Sequence, residues 1–210
     1  MAPRAIALDF DGVLVDSQPL HAAAWREVLG REGAHIPDLE SRILGVSATH
    51  FASSIGLGTA DARRLAAAKE AAVIELAVSA PPPLYPHVRA QLPILANEFR
   101  LAIVSSAHPS LLRTVLGAHD LLRFMGVIVT GDKAGTPSPY ANCLEQLGLP
   151  ATLVVAVEDT PLGIRAARAS NLGVIGIINT TPPERLADAD VVISAFDELP
   201  AAVHALFVAA

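Results

Sequence analysis

Cysteine occurs once in this chain, at Cys143. A single thiol can neither close an internal disulfide nor build a cysteine metal cluster. Set among Ala, Asn and Leu in a stretch of helical spacing, it reads as a packing residue. Aromatic residues make up only 4% of the 210 positions, and much of the 52% hydrophobic content is Ala, which favours helices over a dense aromatic core. No apolar run reaches the roughly 20 residues that cross a bilayer. The N-terminus opens on a strand pattern, without the charged segment, apolar segment and cleavage site of a leader. The expectation is therefore a cytoplasmic protein with no membrane partner. Basic charge is also scarce. Lys and Arg number 15 against 21 Asp and Glu, a net charge of −6, which argues against general nucleic-acid binding. No P-loop is present. Gly56-Leu57-Gly58 starts like a dinucleotide fingerprint, but it lacks the third Gly and follows a helical pattern, so it reads as a helix stop and cap. There is no fixed-period repeat and no low-complexity tail.

What the chain does have begins at residue 5. Ala5-Ile6-Ala7-Leu8 is a short apolar run, the pattern of a strand buried on both faces. It runs into Asp9-Phe10-Asp11-Gly12-Val13-Leu14-Val15-Asp16-Ser17. On an extended backbone Asp9 and Asp11 point the same way, with Phe10 opposite. Gly12 lets the chain turn and lets a ligand approach the backbone. Two converging carboxylates repel unless a proton or a cation sits between them, and an oxygen-rich site of this kind suits Mg²⁺. On the pair alone, an acidic surface turn is an equal reading.

The spacing predicts helices over residues 17–34, 39–44, 47–55 and from Thr59 or Asp61 to about Val78, with no clear strand among them. Ala80-Pro81-Pro82-Pro83 then stops any helix. Beyond it helices and strands alternate: helix 85–97, strand 101–104, helix 110–116, strand 127–129, helix 139–147, strand 153–157, helix 161–170, strand 174–178, strand 191–193 and a terminal helix. Such alternation implies an α/β fold with a parallel, Rossmann-like sheet covered on both faces. The helical block interrupts it directly after the first strand, which divides the chain into a core of residues 1–16 and 82–210 and an inserted α-helical cap of residues 17–81.

In an open α/β sheet ligands sit beyond the carboxyl ends of the strands. Four of those ends carry Asp9/Asp11, Ser105/Ser106, Asp132/Lys133 and Glu158/Asp159. Any one could be turn chemistry, and Asp159 could be the N-cap of the next helix. Together they supply a nucleophile, hydroxyl donors, a cation and metal ligands, a set suited to phosphoryl transfer.

The string from Asp9 to Ser17 resembles the nucleophile loop of the haloacid dehalogenase superfamily, in its phosphatase and β-phosphoglucomutase-like branch. Leu101-Ala102-Ile103-Val104-Ser105-Ser106-Ala107 is similar to that family's strand with a terminal Ser or Thr. Val154 to Ala167, with Glu158-Asp159, is similar to its late acidic strand end and following helix. The resemblance spans essentially the whole chain. It implies a Mg²⁺-dependent phosphatase acting on a small phosphate monoester, a sugar phosphate or related metabolite. Asp9 would form an aspartyl-phosphate and Asp11 would act as acid and base. Asp9, the Asp11 backbone carbonyl, Asp159 and, through water, Glu158 would hold the metal. Ser105, Ser106, Gly12 and Lys133 would bind phosphate.

The chain departs from the pattern in two places. Where the family has Lys before Pro-x-Pro, Thr136 precedes Pro137-Ser138-Pro139. Lys133, in a glycine-bearing loop, either substitutes for that cation or is a solvated lysine paired with Asp132. In the cap, His21 and Trp25 lie four apart on one helix face, and the resemblance gives His21 a part in coupling the acid/base Asp to cap closure. The loop Gly45-Val46-Ser47 with His50 would face substrate. Ala48 stands where mutases carry Arg, which disfavours a bisphosphate intermediate. Lys69 either matches a family cap lysine or lies on a solvated face. The alternatives are a phosphomutase on the same scaffold and a catalytically impaired phosphate-binding relative. The implied partner is a small-molecule phosphate ester; oligomeric state is not specified by the sequence.

Overall fold

A computed structural model of the protein describes residues 3–130 and 138–209. The chain divides into two compact units. One holds Met1–Asp16, Leu84–Ala107 and Asp120–Ala210, the other Ser17–Pro83 and His108–His119.

The helical unit contains α1 (Gln18–Arg31), α2 (Leu39–Ile43), α3 (Ala48–Ser54), α4 (Thr59–Ser79) and, from later in the chain, α6 (Pro109–Ala118). Its first helices follow the apolar spacing. Ala22, Trp25, Val28 and Leu29 on α1 are buried with Phe51 on α3, and the Trp25 and Phe51 rings meet edge to face at 4.6 Å. The Ser47 side chain caps α3 by accepting from the His50 N–H. For α4 the cap is neither Thr59 nor Asp61 but Gly58. Thr59 is already helical, and Asp61 instead complements the first turn's exposed N–H groups.

The second unit is a six-stranded, wholly parallel sheet: β1 (Ala5–Leu8), β2 (Arg100–Ser105), β3 (Met125–Thr130), β4 (Val154–Glu158), β5 (Gly173–Ile177) and β6 (Val191–Ile193), in the order β3-β2-β1-β4-β5-β6. Helices α5 (Val88–Glu98), α7 (Pro139–Leu147), α8 (Pro161–Arg168) and α9 (Leu199–Ala209) belong to the same unit. This is the Rossmann-like α/β architecture that the alternating pattern predicts. Alternate β1 residues Ala5 and Ala7 join Ala102, Val104, Val127 and Val129 in one buried layer, packed on Tyr140, Cys143 and Leu147 of α7 and on Ile164 and Ala167 of α8. Cys143 is thus a core residue, and burial pushes its thiol pKa up to about 12.

One helix starts later than its spacing suggests. Tyr85 precedes Pro86, and a residue before proline is disfavoured in the helical region. Its N–H bonds the Leu14 carbonyl at 3.0 Å instead. His87 then takes φ 69, and α5 begins at Val88. Among the described residues no helix is long and apolar enough to cross a membrane.

Strand order reverses between β1 and β4, and at such a switch point the loops leaving the two strands diverge and open a crevice. The register Ala5↔Val154 through Leu8↔Val157, extended by the Asp9 N–H to Val157 carbonyl bond of 3.0 Å, brings Asp9 level with Glu158 at that point. Ser105 ends the strand on the other side of β1.

Candidate active site

β1 delivers Asp9 into a tight loop. The Asp9 Oδ1 accepts from the Phe10 N–H at 2.7 Å. Leu14 and Val15 N–H groups both bond the Phe10 carbonyl, and the Gly12 N–H bonds Val15. Phe10, Val13, Leu14 and Val15 are fully buried. The apolar side chains after the acidic pair therefore anchor the loop and fix where its two carboxylates sit. Gly12 occupies φ +83, and a β-carbon there would collide with the Asp159 carboxylate. Close approach, as well as backbone freedom, requires glycine.

Asp9, Glu158 and Asp159 each offer a carboxylate oxygen within 4.8 Å of the others. Glu158 and Asp159 are only 4% and 2% exposed. Carboxylates are almost never this buried without partners, yet Glu158 Oε2 and Asp159 Oδ1 have no hydrogen-bond partner among the described residues. Their other oxygens are engaged. The Tyr140 hydroxyl donates to Glu158 Oε1 at 2.6 Å, and the Thr180 hydroxyl donates to Asp159 Oδ2. Three converging carboxylates, two of them with a buried orphan oxygen, are what a hard divalent cation with oxygen ligands satisfies, so the residues present fit such an ion.

Electrostatics agree with that geometry. Burial, then the charges of Glu158, Asp159 and Asp11, hold the Asp9 pKa well above the ordinary carboxylate range. Burial raises Glu158 to about 8, against the opposing hydrogen bond from Tyr140, and raises Asp159 to about 6. A group whose folded pKa is raised binds protons that the unfolded chain has already lost. Its contribution is therefore complete below the unfolded value and disappears as pH rises through the folded one. For Glu158 that interval runs from its ordinary 4.5 to about 8. Metal-free protein should accordingly melt at progressively lower temperature across this range, and a divalent cation held by the trio would reduce the decline by replacing the protons. Melting curves in chelator and in Mg²⁺ at several pH values check this. A metal-free melting temperature that climbs over the same interval would mean the three carboxylates do not share one field.

Asp159 is not the cap of α8. Thr160 takes that position, its hydroxyl accepting from the Gly163 N–H at 3.1 Å, which leaves the Asp159 carboxylate to the cluster. Asp11 is half-buried and close enough to raise the pKa values of Asp9 and Asp159. Ser105 is 7% exposed and its Oγ accepts from the Ala107 N–H at 3.1 Å, while Ser106 is exposed. Lys133, with Asp132 and Thr136, lies outside the described residues. The helical unit holds the remaining candidates. Trp25 is a core residue there. Gly45, Val46, Ser47 and His50 are exposed. Lys69 is not on a solvated face: it is 5% exposed, and its Nζ lies 2.8 Å from His21 Nδ1 and 3.0 Å from Glu70 Oε1.

Three contributors have no counterpart among the sequence expectations: Tyr140, Thr180 and Asn179, whose Nδ2 donates to the Gly12 carbonyl at 2.8 Å. Asn179 and Thr180 follow β5, so they form one more polar strand end beside the others. The rule that singled out Asp9 and Glu158 also reaches them.

The sequence model of the haloacid dehalogenase-like hydrolase family matches residues 3–171. The chain is 27% identical over 183 residues to the fructose-1-phosphate phosphatase YqaB of Escherichia coli K12, an alignment covering 82% of this chain and 95% of that protein. It is 24% identical over 211 residues to the β-phosphoglucomutase of Bacillus subtilis, covering 93% and 91%. Among solved structures it is similar to CbbY of Rhodobacter sphaeroides in complex with phosphate, with a TM-score of 0.80, 25% identity, and 94% and 96% of the two chains covered.

Proposed function

This chain belongs to the haloacid dehalogenase-like hydrolase family, and on that premise we propose that it is a Mg²⁺-dependent phosphatase that cleaves a small phosphate monoester, a sugar phosphate or related metabolite, through an aspartyl-phosphate on Asp9. The observation that carries the reading is the trio Asp9, Glu158 and Asp159, with two buried carboxylate oxygens that have no hydrogen-bond partner among the described residues.

With Oδ1 held by the Phe10 N–H, Asp9 Oδ2 attacks phosphorus as the ester P–O bond breaks. The departing alkoxide takes the proton of Asp11 and leaves as an alcohol. Asp11, now a carboxylate, removes a proton from water as the water oxygen attacks the aspartyl-phosphate. Phosphate departs, and Asp9 and the protonated Asp11 are restored. Splitting the displacement in two lets one carboxylate serve as acid and then as base. Ser105 O–H and N–H groups of the loops after Asp9 and Ser105, other than those of Phe10 and Gly12 that already bond Asp9 Oδ1 and the Val15 carbonyl, are proposed to hold the phosphoryl oxygens, with Gly12 and Ser106 beside them. Lys133 is proposed as the cation for the phosphate in place of the lysine missing at Thr136.

Asp9, the Asp11 carbonyl, Glu158 and Asp159 would hold the Mg²⁺, which when bound offsets the repulsion between an anionic nucleophile and a dianionic phosphate. The helical unit is proposed as the cap, with His21, Trp25, Gly45, Val46, Ser47, His50 and Lys69 its contribution to substrate choice and closure.

A phosphomutase is the second reading, favoured by the β-phosphoglucomutase relative and disfavoured by Ala48. The test is release of inorganic phosphate from p-nitrophenyl phosphate and from a panel of phosphorylated metabolites. Release should require Mg²⁺ and stop in chelator. Turnover only with an added sugar bisphosphate, and without net phosphate, would identify the mutase. No turnover of any ester with Mg²⁺ present would leave phosphate binding alone.

A further inference from the structure

Tyr140 sits on α7, remote in sequence from every acidic residue of the site, and its ring is part of the sheet-facing core. It is 2% exposed. A buried phenol needs a partner for its hydroxyl, and the one it finds is Glu158 Oε1, at 2.6 Å. That is the short end of the range for O–H donors, as expected when the acceptor is a carboxylate. The same carboxylate is also pressed against α8. A β-carbon at Gly163 of α8 would overlap the Glu158 carboxyl group, so only glycine leaves it room. Glu158 is thus clamped between a hydrogen bond from α7 and the bare backbone of α8. Oε1 is taken by the phenol, the Asp159 N–H and Thr160 hydroxyl also act on the carboxylate, and Oε2 is buried with no hydrogen-bond partner among the described residues.

We propose that Tyr140 is a positioning residue for the cation site: by holding Glu158 Oε1 it commits Oε2 to the cation. The inference rests on the metal reading above. A glutamate has three rotatable bonds, and an unheld one can turn its carboxylate away from an empty site. The phenol removes that freedom before any ion arrives, and pre-orienting a ligand in this way strengthens binding. Phenylalanine keeps the ring and the packing and loses only the hydroxyl.

The test is calorimetric titration of Mg²⁺ alone into metal-free protein, parent against Tyr140→Phe. The variant should bind Mg²⁺ at least about tenfold more weakly, with a metal-free melting temperature within about 4 °C of the parent. In phosphate release, half-saturating Mg²⁺ should rise by the same factor while kcat at saturating Mg²⁺ is retained, a split that looser packing would not produce. In a Glu158→Ala background the same change should cost nothing further, since the acceptor of the Tyr140 hydroxyl is already gone. Equal Mg²⁺ affinity in parent and Tyr140→Phe overturns the proposal and leaves the metal reading standing. Equal weakening with and without Glu158 also overturns it, because Tyr140 would then act through packing. A parent that binds no Mg²⁺ overturns the metal reading and this inference with it.

Discussion

Asp9→Asn is expected to abolish phosphate release while making the metal-free protein harder to melt. The two effects have one origin. Asn retains the side-chain oxygen that accepts from the Phe10 N–H, so the loop keeps its anchor. It loses the oxygen anion proposed to attack phosphorus, and removing a covalent nucleophile costs at least about four orders of magnitude in rate. At the same time one of several mutually repelling charges disappears. Glu158 and Asp159 are the largest charged contributors to the raised pKa of Asp9, after burial itself. With a neutral amide in its place, the folded state carries less self-repulsion and the melting temperature in chelator rises. Such opposition between stability and function is common where like charges are held together for chemistry. A melting curve in chelator and a phosphate-release assay on the same preparation check both halves. Activity within an order of magnitude of the parent would mean that the nucleophile is another residue. A lower melting temperature would mean that the cluster is held by attractions involving Asp9.

The parts of this site that the sequence shows are those in which charge breaks an apolar pattern. Ala5-Ile6-Ala7-Leu8 before Asp9, and Val154-Val155-Ala156-Val157 before Glu158, mark both the strands and the points where they end. Parallel strands buried on both faces leave few other places for a carboxylate. The supporting side chains are harder to see because their types are ambiguous. Tyr140 in Pro139-Tyr140-Ala141 reads as a core aromatic, and it is one. Only the need of a buried hydroxyl for a partner hints at a second role. Thr180 and Asn179 were within reach of the strand-end rule but lie after β5, where no charge draws the eye. Lys69 shows the reverse. A lysine in an Ala-rich helix suggests a solvated face, but Ala62, Leu65, Ala66, Lys69, Ala72 and Val73 share one buried stripe. The three- and four-residue spacing put Lys69 inside all along. Capping was the least legible feature. Asp159 and Thr160 are both good caps, and choosing between them requires knowing that the Asp159 carboxylate has neighbours across the sheet, which local sequence does not contain.

Gly12→Ala should be strongly damaging for the addition of one methyl, and Gly148→Ala is its control. Both glycines have positive φ, +83 and +64, where an L side chain is strained by roughly 1 kcal/mol. They differ in what a new β-carbon meets. At Gly148, which ends α7, no atom of the described residues beyond its chain neighbours lies within 4 Å of the new β-carbon, so the cost is the backbone strain alone. At Gly12 the methyl would land on the Asp159 carboxylate. That side chain cannot simply yield, because it is buried and bonded to Thr180, and the Gly12 carbonyl is itself fixed by Asn179. Strain and overpacking together should cost about 3 kcal/mol, or a fall of roughly 6–12 °C in melting temperature for a chain of this size. Displacing Asp159 should also weaken Mg²⁺ binding and lower phosphate release. Gly148→Ala should lose only about a third as much stability, with Mg²⁺ affinity and turnover at parent levels. Melting temperature and Mg²⁺ titration on the two variants side by side separate the terms. If Gly12→Ala matched Gly148→Ala in both measurements, the loop after Asp9 would not be pressed against Asp159, and the close convergence of β1 and β4 on one cation site would have to be abandoned.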